Sequence, residues 1–222
     1  EGDGVFLEGN AGLETGGGPT FAGNTVTGNE GYPVSLPAEH MGQLDATSSY
    51  TGNDEDLIYV DGDTVVSDAD WQDLDVPWFF SDDVSIGGSD SPEVYVLDGA
   101  EFLMDLDVRL RVGGSNGALY VLGDELGVTF TSADRSPDAG DWVGLFFDGN
   151  DLGSEIIGAT ISYAGADGDG CVSLEGADVS VEDSAVSECT GAGIYVASSS
   201  TAAVSGTTVT GAASHGVYVS DN

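Results

Sequence analysis

The sequence predicts an all-β solenoid, a single parallel β-helix domain running through residues 1–222. Three observations predict it. A short apolar-x-apolar string recurs along the chain, its copies lie 22, 23 and 24 residues apart, and Gly, Asn, Ser and Asp fill the stretches between them. A repeat of roughly 20–50 residues marks a solenoid, propeller or array.

The strings are Val5-Phe-Leu7, Val34-Ser-Leu36, Ile58-Tyr-Val60, Val172-Ser-Leu174, Ile194-Tyr-Val196 and Val217-Tyr-Val219. Val34 to Ile58 spans 24 residues, Val172 to Ile194 spans 22 and Ile194 to Val217 spans 23. A second interval accompanies them: eight residues separate Val26 from Val34, Tyr50 from Ile58, Val186 from Ile194 and Val209 from Val217. In an extended strand alternate side chains point to opposite faces, so each string has two residues inside and one in solvent. Three such strands per period fold into a coil of triangular section, and coils pair with those above and below. Roughly eight or nine coils of about 22–25 residues follow, a rod about 40 Å tall at about 4.8 Å per coil. The expected core is Val26, Val34, Leu36, Ile58, Val60, Val172, Leu174, Val186, Ile194, Val196, Val209, Val217 and Val219. No segment keeps a helical i, i+3, i+4, i+7 stripe through these glycines.

In the middle of the chain the pattern loosens. Strands are expected at 84–86, 94–96, 102–104, 108–112, 119–121, 128–130, 143–147 and 156–161, bounded by turns such as Asp98-Gly99. The aromatic stretch at 64–83, with Trp71, Pro77 and Trp78, reads as an excursion packed against the outside of the coil wall.

Forty Asp and Glu stand against three Arg and no Lys, for a formal net charge of −37. Clustered cations are what displace counterions from a nucleic-acid backbone, so nucleic acid is excluded as a partner. Docking on anionic lipid fails for the same reason, and no run approaches the length of a membrane-spanning helix. Hydrophobic residues make up 40% of the chain, which argues against disorder despite the charge. An excess of Asp with no Lys suits a saline medium, where like charges are screened.

The succession Trp71, Leu74, Val76-Pro-Trp78, Val84-Ser-Ile86, then Val128-Thr-Phe-Thr-Ser132, Gly140-Asp-Trp-Val-Gly-Leu-Phe-Phe147 and Ile161-Ser-Tyr-Ala-Gly165, resembles the right-handed parallel β-helix repeat proteins of bacterial and archaeal cell surfaces. The resemblance covers nearly the whole chain. It implies a right-handed coil and an extracellular or cell-surface location, on a prokaryote. That family holds adhesins and surface-layer-like proteins alongside enzymes, so it leaves function to be argued from the site.

Enzymes on this fold act on carbohydrate. A polygalacturonase-like signature of Asn-Thr-Asp, Asp-Asp, Gly-His-Gly and Arg-x-Lys is absent, with Asp82-Asp83 its one fragment. A uronate lyase needs cations; Arg109 and Arg111 share one strand face and read as solvent-facing partners of neighbouring Asp. His40 and His215 read as surface residues in loops. Acidic turns offer calcium candidates at Asp61, Asp63, Asp167 and Asp169, without an EF-hand loop; no cofactor is required. Cys171 and Cys189 fall about one coil apart on the same corner, within reach of a disulfide. Broken Thr-x-Thr rungs at 25–27 and 208–210 speak against an ice-binding array.

The expected function is therefore an extracellular structural or adhesive solenoid without catalysis, with partners among other surface proteins, glycans or copies of itself. The alternative is a glycosidase or polysaccharide lyase. Because Val5-Phe-Leu7 and Val217-Tyr-Val219 already read as coil strands, neither end is expected to carry a cap, and the β-helix is expected to continue head to tail, either as a fibre or surface-layer subunit or as a segment of a longer surface protein.

Overall fold

The computed structural model describes residues 2–9, 12–13, 20–149, 151–197 and 199–220. Its strands form three parallel sheets. Sheet 1 has nine: Val5–Phe6, Val34–Leu36, Ile58–Val60, Trp78–Phe80, Glu101–Met104, Val128–Ser132, Ala159–Ser162, Ala185–Ser187 and Thr208–Thr210. Sheet 2 has seven: Asp63–Val65, Val84–Ile86, Arg109–Val112, Gly144–Asp148, Gly170–Glu175, Ala192–Val196 and Val217–Val219. Sheet 3 has six: Ala69–Trp71, Glu93–Leu97, Ala118–Leu122, Glu155–Ile157, Asp178–Glu182 and Thr201–Ser205. From Ile58 onward the chain visits sheets 1, 2 and 3 in turn and returns one rung higher, a parallel β-helix of about eight turns.

The repeat intervals are the register. Val34 pairs with Ile58, Val172 with Ile194, Ile194 with Val217 and Val186 with Val209. One distinction escaped the sequence pattern. Val34 and Ile58 belong to sheet 1, whereas Val172, Ile194 and Val217 belong to sheet 2. Both sheets need the same apolar-x-apolar string, so the string alone does not say which wall it builds.

Inward residues stack into columns. In sheet 1 the column runs Val34, Ile58, Trp78, Phe102, Phe130, Ile161, Val186, Val209. All but the last are fully buried, and Phe102 and Phe130 stack at 4.9 Å. Of the expected core, Val209 is half-buried and Val217 and Val219 are 46% and 67% exposed, because among the described residues no rung lies above theirs.

The stretch 64–83 is not an excursion. It supplies regular rungs to sheets 2, 3 and 1, and Trp71, Trp78 and Phe80 lie inside the coil. Trp71 meets Phe80 edge-on at 5.9 Å and lies 5.8 Å from Phe102, so the aromatic volume fills the lumen rather than covering the wall. The expected strand at 156–161 is two strands, broken at Gly158, whose φ of 64° turns the chain from sheet 3 into sheet 1.

The N-terminal end also differs from expectation. A 3₁₀ helix, Ala38–Gln43, packs on the first strands of sheets 2 and 3. The Ala38 N–H donates to Gly62 O at 2.8 Å. The Glu39 carboxylate accepts from the Val66 N–H at 2.6 Å and the Ser67 hydroxyl at 2.9 Å. Met41 is fully buried beneath it. This helix covers two of the three N-terminal sheet edges and leaves Val5–Phe6 as the edge of sheet 1, so that end is largely capped.

Candidate interaction surface

Cys171 lies in the sheet 2 strand Gly170–Glu175, and Cys189 precedes the next strand up, Ala192–Val196. They form a disulfide with Cα atoms 5.6 Å apart, and both are buried. The bond staples one coil to the next at a corner.

Arg109 and Arg111 project outward from sheet 2. Arg111 forms an ion pair with Asp148, its Nε donating at 2.9 Å. Arg109 donates to Asp167 at 3.2 Å, and its guanidinium lies 5.2 Å from the Phe146 ring centroid. Two calcium candidates are thereby placed: Asp167 is engaged by Arg109 and also accepts from the Asp169 N–H at 3.2 Å. Burial first, and then the charge of Asp167, push the Asp169 carboxyl up, with Arg109 opposing. Asp61 and Asp63 are exposed, and Asp63 accepts from the Thr64 N–H at 2.7 Å. Among the described residues no three His, Cys, Asp or Glu side chains converge at metal-ligand spacing.

His40, expected at the surface, is buried within the N-terminal cap, where its ring nitrogens meet Gly9 O at 3.2 Å and the Gln43 amide at 3.1 Å. His215 is exposed and stacks on Tyr218 at 5.0 Å.

The outward faces carry ladders that the repeat search passed over. Tyr59 and Phe79 on sheet 1 and Tyr32, which precedes its strand Val34–Leu36, succeed one another, Tyr32 to Tyr59 at 5.0 Å and Tyr59 to Phe79 at 5.8 Å. On sheet 3, Tyr95 and Tyr120 pair in register and stack at 4.9 Å with ring planes 18° apart. Leu97 pairs with Leu122, and Leu122 with Ile157, to form a second outward column. The signal was in the sequence: Val94-Tyr-Val-Leu97 and Leu119-Tyr-Val-Leu122 are one string repeated one coil apart. Carboxylates surround the pair. The Tyr95 hydroxyl donates to Glu93 at 2.9 Å, and that bond heads the causes raising its phenol. Burial raises Tyr120, followed by the charges of Glu93, Glu155 and Asp151. Burial also raises the Asp151 carboxyl, although Ser154 and Gly153 donate to it.

A turn beside this face is held by one residue. Asp98 accepts from the N–H groups of Asp124, Glu125, Leu126 and Gly127 at 2.7–3.1 Å. The turn holds Leu126 outward at 75% exposure.

The family model described as a right handed beta helix region matches residues 127–222. Neither the curated proteins nor the solved structures hold a match to the chain. Three parallel sheets wound coil on coil from Val5 to Val219 give the chain the fold of a right-handed parallel β-helix, and its C-terminal coils match the model of that family.

Proposed function

We propose that the chain is an extracellular structural or adhesive solenoid of a cell surface, working by display and stacking rather than by catalysis. The observation that carries this reading is the C-terminal coil. Val217 and Val219 continue columns that are buried from Val84 to Ile194 and from Val65 to Val196, yet stand 46% and 67% exposed, and Val204 stands 39% exposed beside them. Between Glu188 and Asp221 the sequence has no carboxylate, in a chain with forty. A neutral, β-rich coil end is where two highly acidic rods approach with least repulsion. Among the described residues the 3₁₀ helix covers the first strands of sheets 2 and 3 at the other end, so the C-terminal coil is the principal surface for continuing the stack, by a second copy or by further chain. The disulfide and the acid-rich surface support an extracellular, saline setting. The reading requires no cofactor.

The glycosidase alternative has one observation in its favour, the raised Asp151 carboxyl near Glu155 and Tyr120. Asp151 is committed to its own turn through Ser154 and Gly153, which suits a structural carboxylate better than a general acid. Sedimentation velocity of the chain at high salt tests the stacking. Concentration-dependent association that Val217→Lys with Val219→Lys abolishes is the expected result. A monomer at every concentration overturns it.

A further inference from the structure

The middle of sheet 3 exposes an apolar patch that the stacking role does not use. Tyr95, Leu97, Tyr120, Leu122 and Ile157 point outward from three successive rungs. Leu126 joins them from the turn above, its side chain leaning over Gly99 two residues beyond Leu97. Leu122 is 37% and Leu126 75% exposed. A solvent-facing strand position ordinarily takes Thr, Ser or a charged residue, as Thr129, Thr160 and Thr208 do on sheet 1. Here the apolar residues are contiguous, and contiguous exposed apolar surface marks an interaction site. The patch is also rigid. Its backbone lies in ladder pairing, and four N–H donors to Asp98 fix the turn carrying Leu126, so a partner meets a surface already ordered.

The rim selects the partner. Glu93 and Glu155 lie on the same strands, Glu182 pairs with Ile157 from the next rung, and Asp124 and Glu125 lie in the Leu126 turn. No Arg lies on these strands, and the sequence has no Lys. Two copies of this face would bring acidic rims together, and anionic lipid would be repelled likewise. We propose that this face docks a basic amphipathic polypeptide segment, whose apolar side chains cover the Tyr95–Tyr120 and Leu97–Leu122–Ile157 columns while flanking Lys and Arg meet the rim carboxylates. This goes beyond the stacking role and does not depend on it.

Leu122→Asp with Leu126→Asp tests the proposal, because the double variant lowers apolarity and adds negative charge together. Both side chains are solvent-exposed, so an unchanged melting temperature is expected and is checked first. The probe is a fluorescein-labelled amphipathic peptide of leucine and lysine, followed by anisotropy, beside a peptide of the same composition with its apolar face scrambled. Docking predicts that the variant binds the amphipathic peptide about tenfold more weakly or worse, and that the scrambled peptide binds the wild type more weakly too. Should the variant bind as tightly as the wild type, or tighter, the attraction is charge alone and the proposal falls. Equal binding of the scrambled peptide has the same consequence. Self-association of the wild type that the variant abolishes would assign the face to a second copy and overturn it. If the double variant loses stability, Glu93→Gln with Glu155→Gln replaces it. Weakened binding of the amphipathic peptide that exceeds the loss for the scrambled one then supports the docking face, and equal losses overturn it.

Discussion

Gly158 sits where the chain leaves sheet 3 for sheet 1, with φ at 64°. A Cβ added there would run into the carbonyl of Gly123 one coil below, and one added at Gly123 would meet the carbonyl of Gly158. The two glycines thus let successive corners close at coil spacing. Gly158→Ala meets both a positive φ and a backbone wall, so it should lower stability by more than about 1 kcal/mol, read by chemical denaturation; an unchanged midpoint would mean that the corner has room to shift. Asp98 works through its charge. Desolvation pushes its carboxyl up, but the four N–H groups of the 124–127 turn together outweigh that and hold it below the ordinary carboxylate range. A carboxyl whose pKa is lower folded than unfolded contributes stability above the unfolded value and loses it as pH falls through the folded one. The melting temperature of the wild type should therefore exceed that of Asp98→Ala at neutral pH, with the gap closing as the solution is acidified below about pH 4. A gap that stays constant across that range would show that the charge is not what the turn uses.

At the scale of elements, the disulfide joins positions 18 residues apart in sequence across one coil boundary. Closing a loop of that size in the unfolded chain is worth about 3 kcal/mol, so Cys171→Ala with Cys189→Ala should lower stability by about that much. Mass measurement on the native chain should show a gain of two hydrogens on reduction. Alkylation of both thiols without reduction would remove the bond from the account. How far each element was legible depends on what its residues leave in the sequence. The Val186–Val209 and Ile194–Val217 rungs were readable because each coil repeats its spacing with small turn residues between. The 156–161 break was not, because Ile-Ile-Gly-Ala-Thr-Ile looks like one apolar run and the corner depends on Gly123, 35 residues earlier. Trp71, Trp78 and Phe80 were misplaced because aromatic bulk looks foreign among valines. The lumen takes such rings by stacking them rung on rung. The Ala38–Gln43 cap is one 3₁₀ segment of six residues, too short to show helical periodicity. The sheet 3 face escaped notice for another reason. Tyr95 and Leu97 are apolar on the outer side of a strand that is also apolar inside, and alternation then gives no sign of which side faces water.

The whole molecule is an acidic rod with a continuous core of aliphatic and aromatic columns. A charge of −37 opposes the compact state through self-repulsion, so the melting temperature should rise with sodium chloride as the charges are screened. A flat response would contradict the proposed saline setting. Calcium and magnesium at matched ionic strength separate screening from binding. Equal effects leave screening alone, whereas a larger effect of calcium assigns a site. Asp61→Asn with Asp63→Asn, against Asp167→Asn with Asp169→Asn, then locates it. Since Arg109 already engages Asp167, the 61–63 turn is the one expected to respond.

The central claim is that the coil stack is built to continue past its neutral C-terminal rung. Hydrogen exchange read peptide by peptide, at low and high protein concentration, tests it most directly. Amides of the inner rungs, such as 128–132 and 144–148, should be protected at both concentrations. Those of 201–205, 208–210 and 217–219 should exchange fast in dilute solution and slow down as the protein is concentrated, because a second coil takes up their free edge. Fast exchange of these three strands at every concentration, with the inner rungs protected throughout, would contradict the account.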